Sequence, residues 1–254
     1  MDNFNLTSKV ALITGGNGGI GLGIAKGLAI AGATVIITGR NNSKISSALS
    51  WKSPTNKSLA SAINMDVTDE KSIVEGIQSI ASQFGKIDIL VNNAGMNIRK
   101  SPEEYTLAEW NSIISTNLTG VFLCSQKIYP VMASAGHGKI INIGSMTSVL
   151  GIGVTAPYSS SKGGVVQLTK SLALAWAKDN IQVNTILPGW IETDLTASLQ
   201  ATDPMRYSSI TNRIPAQRWG QPDDLVGAAI FLSSKASDYV TGISLPVDGG
   251  YLSS

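Results

Sequence analysis

The chain has 254 residues, 43% of them hydrophobic, with 19 basic and 17 acidic side chains for a net charge of +2. That length and apolar fraction allow a large α/β domain with a substantial core and argue against a disordered chain. Near-neutral charge without runs of one sign argues against a nucleic-acid partner or an acidic membrane surface, and leaves a small molecule as the expected partner.

The single cysteine, Cys124, cannot form an internal disulfide, and its neighbours Val121, Phe122 and Leu123 predict a buried thiol. His137, the only histidine, stands in Gly-His-Gly, a loop composition that predicts a surface side chain, so no zinc site is expected. The first eight residues carry no basic segment followed by an apolar stretch, and no span approaches the roughly 20 apolar residues of a membrane helix. A soluble, cytoplasmic protein is expected.

Lys9 to Thr14 is a short apolar run ended by glycines, which predicts a strand buried on both faces. Ile20 to Ala31 has helical spacing. Thr14-Gly-Gly-Asn-Gly-Gly-Ile-Gly21 joins the two, and a glycine-rich turn between strand and helix is the setting for a phosphate cradle. Gly16, Gly18 and Gly21 match the usual dinucleotide spacing, yet Gly15, Gly19 and Gly21 fit equally well. No Gly-Lys-Ser/Thr follows, which removes a P-loop.

A second strand, Ala33 to Thr38, ends in Gly39-Arg40-Asn41, where a doubly wound sheet meets the adenosine ribose. An acidic residue there would hold a ribose 2′-hydroxyl and repel a 2′-phosphate. Arg40 is suited instead to pair with a phosphate, which favours NADP(H). Leu59 to Asn64 is a weaker third strand. Beyond it, Asp66 is a candidate for the adenine amino group and Thr68 for the cap of a helix from about Asp69 to Phe84.

Ile87 to Val91 predicts a fourth strand, closed by Asn92-Asn-Ala-Gly95. Thr106 to Met132 is mainly helical, with Asn117 in its middle. There its side chain competes for backbone hydrogen bonds, a local violation of the kind that marks functional positions. Lys139 to Ile143 is a fifth strand that delivers Ser145 just past its end. Thr155 to Lys178 is a helix carrying Tyr158 and Lys162 one turn apart on one face. A free tyrosine has a pKa of roughly 10, and a nearby ammonium would lower it and make Tyr158 a usable general acid/base.

Ile181 to Leu187 is a sixth strand ending in Pro188-Gly189. From Trp190 to Arg218 the periodicity breaks, as expected for a substrate-binding lid at the ligand edge. Asp223 to Ser234 is the final helix and Ile243 to Val247 the seventh strand. Strands and helices alternate without a linker, so we expect a single Rossmann-type α/β domain over 1–254, built on a doubly wound parallel sheet with helices on both faces.

In Thr14-Gly-x3-Gly-x-Gly, Asn92-Asn-Ala-Gly, Asn117, Ser145, Tyr158-x3-Lys162 and Pro188-Gly189, the chain resembles the short-chain dehydrogenase/reductase family along essentially its whole length. The resemblance implies that Tyr158 exchanges a proton with the substrate oxygen while hydride passes to or from a nicotinamide. Ser145 would steady that oxygen, and Lys162 would bind the nicotinamide ribose and lower the Tyr158 pKa. Asn117 would hold a water that links Lys162 to solvent.

The resemblance also selects Gly15, Gly19 and Gly21 for the pyrophosphate turn. It assigns Asn93, Ala94 and Gly95 to the adenosine side, Asp66 and Val67 to the adenine, and Ile191 and Thr193 to the carboxamide. Asn17, Ile20, Asn41, Pro188 and Gly189 complete the cofactor set. Asn17 stands where some NADP users carry a basic residue, which leaves NAD(H) open.

The segments Asn97-Ile-Arg-Lys100 and Arg213-Ile-Pro-Ala-Gln-Arg-Trp-Gly220 are similar to members acting on sugar acids and polyols. Arg99 or Arg213 would suit a carboxylate or a hydroxyl-rich ligand, with Met96, Trp190 and Leu195 lining the pocket. The alternatives are a reductase of 3-oxoacyl thioesters, which would want a basic surface for an acyl carrier, and a non-catalytic nucleotide sensor, which would lack Tyr158 or Lys162. The resemblance further implies a homotetramer.

Overall fold

The computed structural model describes residues 2–53, 57, 59–193 and 196–253. Its strands are β1 (Val10–Thr14), β2 (Thr34–Gly39), β3 (Ser61–Asn64), β4 (Ile89–Asn92), β5 (Gly138–Ile143), β6 (Ile181–Pro188) and β7 (Ser244–Val247). They form one sheet in the order β3-β2-β1-β4-β5-β6-β7, with every pairing parallel. Each expected strand is present, with ends moved by a residue or two.

Alternation along the strands divides the core into two layers. Ala11, Ile13, Val35, Ile37, Val91 and Ile141 face one side. They pack there against α1 (Gly19–Ile30) and the helix Val226–Ser233 near the C-terminus. Val10, Leu12, Ile36, Leu90 and Ile140 face the other side, against α3 (Glu70–Phe84), α5 (Gly120–Ala135) and α6 (Ala156–Trp176). Cys124 is buried in this second layer, where desolvation pushes its thiol up to about 12, as its apolar neighbours foretold.

Three helices were not expected: α2 (Asn42–Leu49), α7 (Ala197–Thr202) and α8 (Pro204–Arg213). Only Ile45 and Ala48 of α2 are buried, so it shows no apolar stripe, and the Asn41 side chain caps it by accepting from the Lys44 N–H at 3.0 Å. The residues before α3 correct another expectation. Asp69, not Thr68, caps the helix by accepting from the Lys71 N–H, while Thr68 donates through both backbone and hydroxyl to Asp66.

The long helix foreseen between Thr106 and Met132 is interrupted. It comprises α4 (Leu107–Ile114), a π-helical turn over Ser115–Thr119, and α5. The expected lid carries α7 and α8, which a small core of its own holds down: Trp190, Ile210, Ile214, Trp219 and Tyr251 pack with Met146. Among the described residues no helix is long and apolar enough to cross a membrane.

Candidate active site

The sheet order reverses direction between β1 and β4, and in such sheets a crevice opens beyond the carboxyl ends of those strands. There the turns after the two strands touch: a Cβ on Gly15 would lie 2.9 Å from Ala94 Cα, and Gly15 itself has φ +62°. Gly19 also has positive φ, and a Cβ on Gly21 would strike the Asn93 side chain. A Cβ on Gly18 would meet nothing within 4 Å. The backbone thus requires glycine in the register Gly15, Gly19, Gly21, while Gly18 is free to be another residue.

A cleft of about 660 Å³ starts at this turn and runs across the sheet edge to Trp190. It is lined by every residue assigned above to the cofactor except Gly21, which packs behind Asn93. Ser145, Met96, Arg99 and Trp190 line it too. Asn117 does not, because it is fully buried. Leu195 lies outside the described residues, and Arg213 points away, over the Tyr251 ring at 4.8 Å.

At the adenosine end, a Cβ on Gly39 would come within 2.5 Å of the Asn17 amide, so Asn17 occupies the space an acidic side chain at position 39 would enter. Arg40 Nη1 lies 3.5 Å from Asp66 Oδ2. Partial burial pushes the Asp66 carboxyl up, but the Thr68 hydrogen bonds and the Arg40 charge outweigh it and hold the group below its usual range. The bare turn, the open helix N-terminus and the exposed Arg40 guanidinium, paired only loosely with Asp66, fit a dinucleotide carrying an extra phosphate.

At the other end, Ser145 Oγ accepts from the Thr147 N–H at 3.1 Å, which leaves the serine proton for an acceptor in the cleft. Lys162, 4% exposed, donates to the Ile143 carbonyl at 2.7 Å, and its ammonium lies 5.7 Å from the centre of the Tyr158 ring. Burial pushes Lys162 down to about 8. The expected lowering of Tyr158 is not observed: burial raises its phenol, and the Ser145 hydrogen bond and the Arg99 charge offset this only in part. Lys162 is turned towards Ile143 rather than the phenol, which accounts for the difference.

Asn117 is held by Oδ1 accepting from the Met96 N–H at 2.8 Å and Nδ2 donating to the Met96 carbonyl at 2.9 Å and to Ser161 Oγ at 3.2 Å. Ser161 in turn donates to the Tyr158 carbonyl. The Asn117 side chain therefore ties the loop after β4 to the second turn of α6. Asn97, from the segment noted for its similarity to sugar-acid members, lines the cleft too; Thr147 and Ile152 also line it but were missed, since nothing in their sequence context sets them apart from loop residues.

The model of the family described as enoyl-(acyl carrier protein) reductase matches residues 15–252. A gluconate 5-dehydrogenase of Gluconobacter oxydans is 42% identical over 249 residues, 98% of this chain and 96% of that one. The chain belongs to the short-chain dehydrogenase/reductase family. A relative named 5-keto-D-gluconate 5-reductase, from Escherichia coli, is 43% identical over 99% of this chain and 98% of its own. The crystal structure of a gluconate 5-dehydrogenase from Burkholderia cenocepacia in complex with NADP and tartrate superposes with a TM-score of 0.93 at 41% identity, covering 100% of this chain and 98% of that one. As a member of the short-chain dehydrogenase/reductase family with such relatives, the protein is an oxidoreductase acting on CH–OH groups.

Proposed function

We propose that the protein interconverts a sugar acid carrying a secondary alcohol with its keto form, using NADP(H) in preference to NAD(H). The observation that carries this reading is a single cleft joining a dinucleotide turn beside Arg40 to Tyr158, Ser145 and a nearby arginine, Arg99. The relatives named for gluconate and ketogluconate chemistry, and the NADP and tartrate bound by one of them, support the same substrate class.

When bound, the cofactor supplies or accepts the hydride at its nicotinamide ring. In the reducing direction Tyr158 gives its proton to the carbonyl oxygen as negative charge develops there. Ser145 donates a second hydrogen bond to that oxygen, a preorganised pair that needs no metal. Lys162 would hold the nicotinamide ribose, its ammonium standing 5.7 Å from the centre of the Tyr158 ring. Arg40, whose exposed contact with Asp66 is a weak pairing at such a site, would be the residue to hold the 2′-phosphate. The segment 190–218 covers the substrate.

Assembly into a homotetramer and a cytoplasmic location belong to this reading. Leu107, Trp110, Phe122 and Leu174 are large apolar side chains exposed on α4, α5 and α6, and self-association would cover exposed apolar groups of this kind. Sedimentation should give a tetramer, and a monomer at micromolar concentration would count against that part. The buried free thiol of Cys124 suits a reducing compartment.

The purified protein, given NADPH or NADH with ketogluconates, neutral ketoses or acetoacetyl thioesters, should oxidise NADPH fastest with a ketogluconate. Faster turnover of the thioester would move the protein to acyl reduction, and tight NADPH binding without turnover would make it a sensor. Tyr158→Phe should lower kcat by at least about a thousandfold while NADPH still binds. Residual activity near that of the parent would remove Tyr158 as the proton donor.

A further inference from the structure

The loop after β4 carries Arg99, which lines the cleft with its guanidinium 5.7 Å from the centre of the Trp190 ring. Among the described residues it has no acidic partner, so its charge is free for a ligand. A side chain of this length on a loop samples many rotamers, and a ligand that must order it gives up binding energy to do so. An arginine that serves a substrate is therefore worth more when the backbone beneath it is already fixed.

That backbone is fixed on both sides of Arg99. The Tyr105 hydroxyl donates to the Ile98 carbonyl at 2.5 Å and stands 3.1 Å from the Val154 carbonyl, so its one proton lies between two acceptors. The Lys100 N–H donates to the same Val154 carbonyl at 3.2 Å. The Lys100 ammonium also bonds Glu109, in the first turn of α4. Arg99 is the middle residue of a tripeptide whose two neighbours are both tied down.

The anchor belongs to the element that carries the proton donor. Val154 precedes Thr155, the residue that opens α6, and Tyr158 follows in the first turn of that helix. Thr155 is 2% exposed, and its hydroxyl bonds the Ile152 carbonyl at 3.0 Å and Ser159 Oγ at 3.1 Å, which holds the start of the helix in place. Tyr105 itself is part-buried and does not line the cleft. It can reach a ligand only through the loop it pins.

We infer that Tyr105 is a positioning residue of the substrate site: by pinning Ile98 against Val154 its hydroxyl sets Arg99 at a fixed reach from Tyr158, so that one sugar acid is held by its carboxylate and presented by its keto carbon. This rests on the sugar-acid reading and explains how a loop arginine acquires the precision of the helix beside it. The guanidinium fork gives the carboxylate two parallel bonds only when its approach is set in advance. Tyr105 acts on binding, through Arg99, and not on the reacting atoms.

The test is a double-mutant cycle in the full-length protein: Tyr105→Phe, Arg99→Ala and the two together, on 5-keto-D-gluconate and the neutral ketose D-fructose, with calorimetric titration of tartrate into the NADP+-loaded protein. Tyr105→Phe keeps the ring and removes the hydroxyl. It should raise the acid KM and weaken tartrate by about fivefold, the scale of one lost hydrogen bond, while the acid kcat, the fructose KM and NADPH affinity stay within about twofold. In the Arg99→Ala background the same change should alter acid KM and tartrate affinity by less than about twofold, because no guanidinium is left to position.

An unchanged acid KM in Tyr105→Phe, or an equal rise for acid and ketose, overturns the assignment. So does a loss that persists in the Arg99→Ala background, which would give Tyr105 a structural role alone. If the parent protein prefers ketoses to acids, the sugar-acid reading fails, and the tartrate cycle then decides on Tyr105 alone. No tartrate binding, or binding that Tyr105→Phe leaves intact, overturns it.

Discussion

At the scale of single residues, the site places an ammonium where the fold disfavours it. Lys162 is 4% exposed, its ammonium donates to a backbone carbonyl and has no acidic partner among the described residues, and burial brings it down to about 8 from an ordinary 10.5. Below about pH 8 both the folded and the unfolded chain carry this proton, so the folded state bears the whole desolvation penalty. Between 8 and 10.5 the unfolded chain binds the proton and the folded one does not, so this group's contribution to stability rises with pH across that window. Lys162→Met should therefore abolish turnover yet raise Tm at pH 7 by about 4 °C, with the gain shrinking towards pH 10. Calorimetric scans at the two pH values check it. A lower Tm at pH 7, with no change in the difference at pH 10, would mean that the ammonium stabilises the fold.

At the scale of elements, strands were more legible than helices, and the reason is burial. Val10 to Thr14 and Ile181 to Pro188 are buried at every position; the first is an unbroken apolar run up to Thr14, and the second carries Ile181, Val183, Ile186 and Leu187 among buried Gln182, Asn184 and Thr185. The helix α2 buries two side chains and α8 buries Ile210 alone, so neither writes a 3.6-residue stripe, and both read as loop. Asn117 was legible as a violation but not as a solution. The sequence marks an amide inside a helix, whereas the π turn around it and its two bonds to Met96 depend on β4 ending opposite, a contact between residues 21 apart. Tyr158, Lys162 and Ser145 were legible because one local rule places each: helix spacing for the pair, a strand end for the serine.

At the scale of the whole molecule, the two edges of the sheet do different work, and a second titrating cluster lets them be separated. Beyond the amino ends of the strands, Asp88 is 2% exposed and is held by Lys9 at 3.2 Å, Lys86 at 3.1 Å, the Val10 N–H at 2.8 Å and His137 at 2.6 Å. His137 was expected as a surface side chain, and its side chain is 38% exposed, but its ring also reaches Asp88, because the start of β5 passes beside that of β4. Burial acts to raise the Asp88 carboxyl, but these bonds and charges outweigh it and hold the group below its ordinary 3.8. A depressed carboxylate contributes stability that is fully present above the unfolded value and is lost as pH falls through the lower folded value. The loss from Asp88 therefore falls below about pH 4, well clear of the Lys162 window. Asp88→Asn leaves Lys9 and Lys86 without their buried counter-charge and should cost about 3 kcal/mol at pH 7, the scale for breaking a buried ion pair. It should also flatten the acid limb of the Tm-against-pH curve. Because the substitution lies at the edge opposite the cleft, kcat and KM should stay within about twofold at temperatures where the variant is folded. Urea unfolding at pH 7 and pH 3.5, run beside the steady-state assay, reads both effects. A stability cost that is as large at pH 3.5 as at pH 7 would mean that Asp88 contributes by packing rather than by charge.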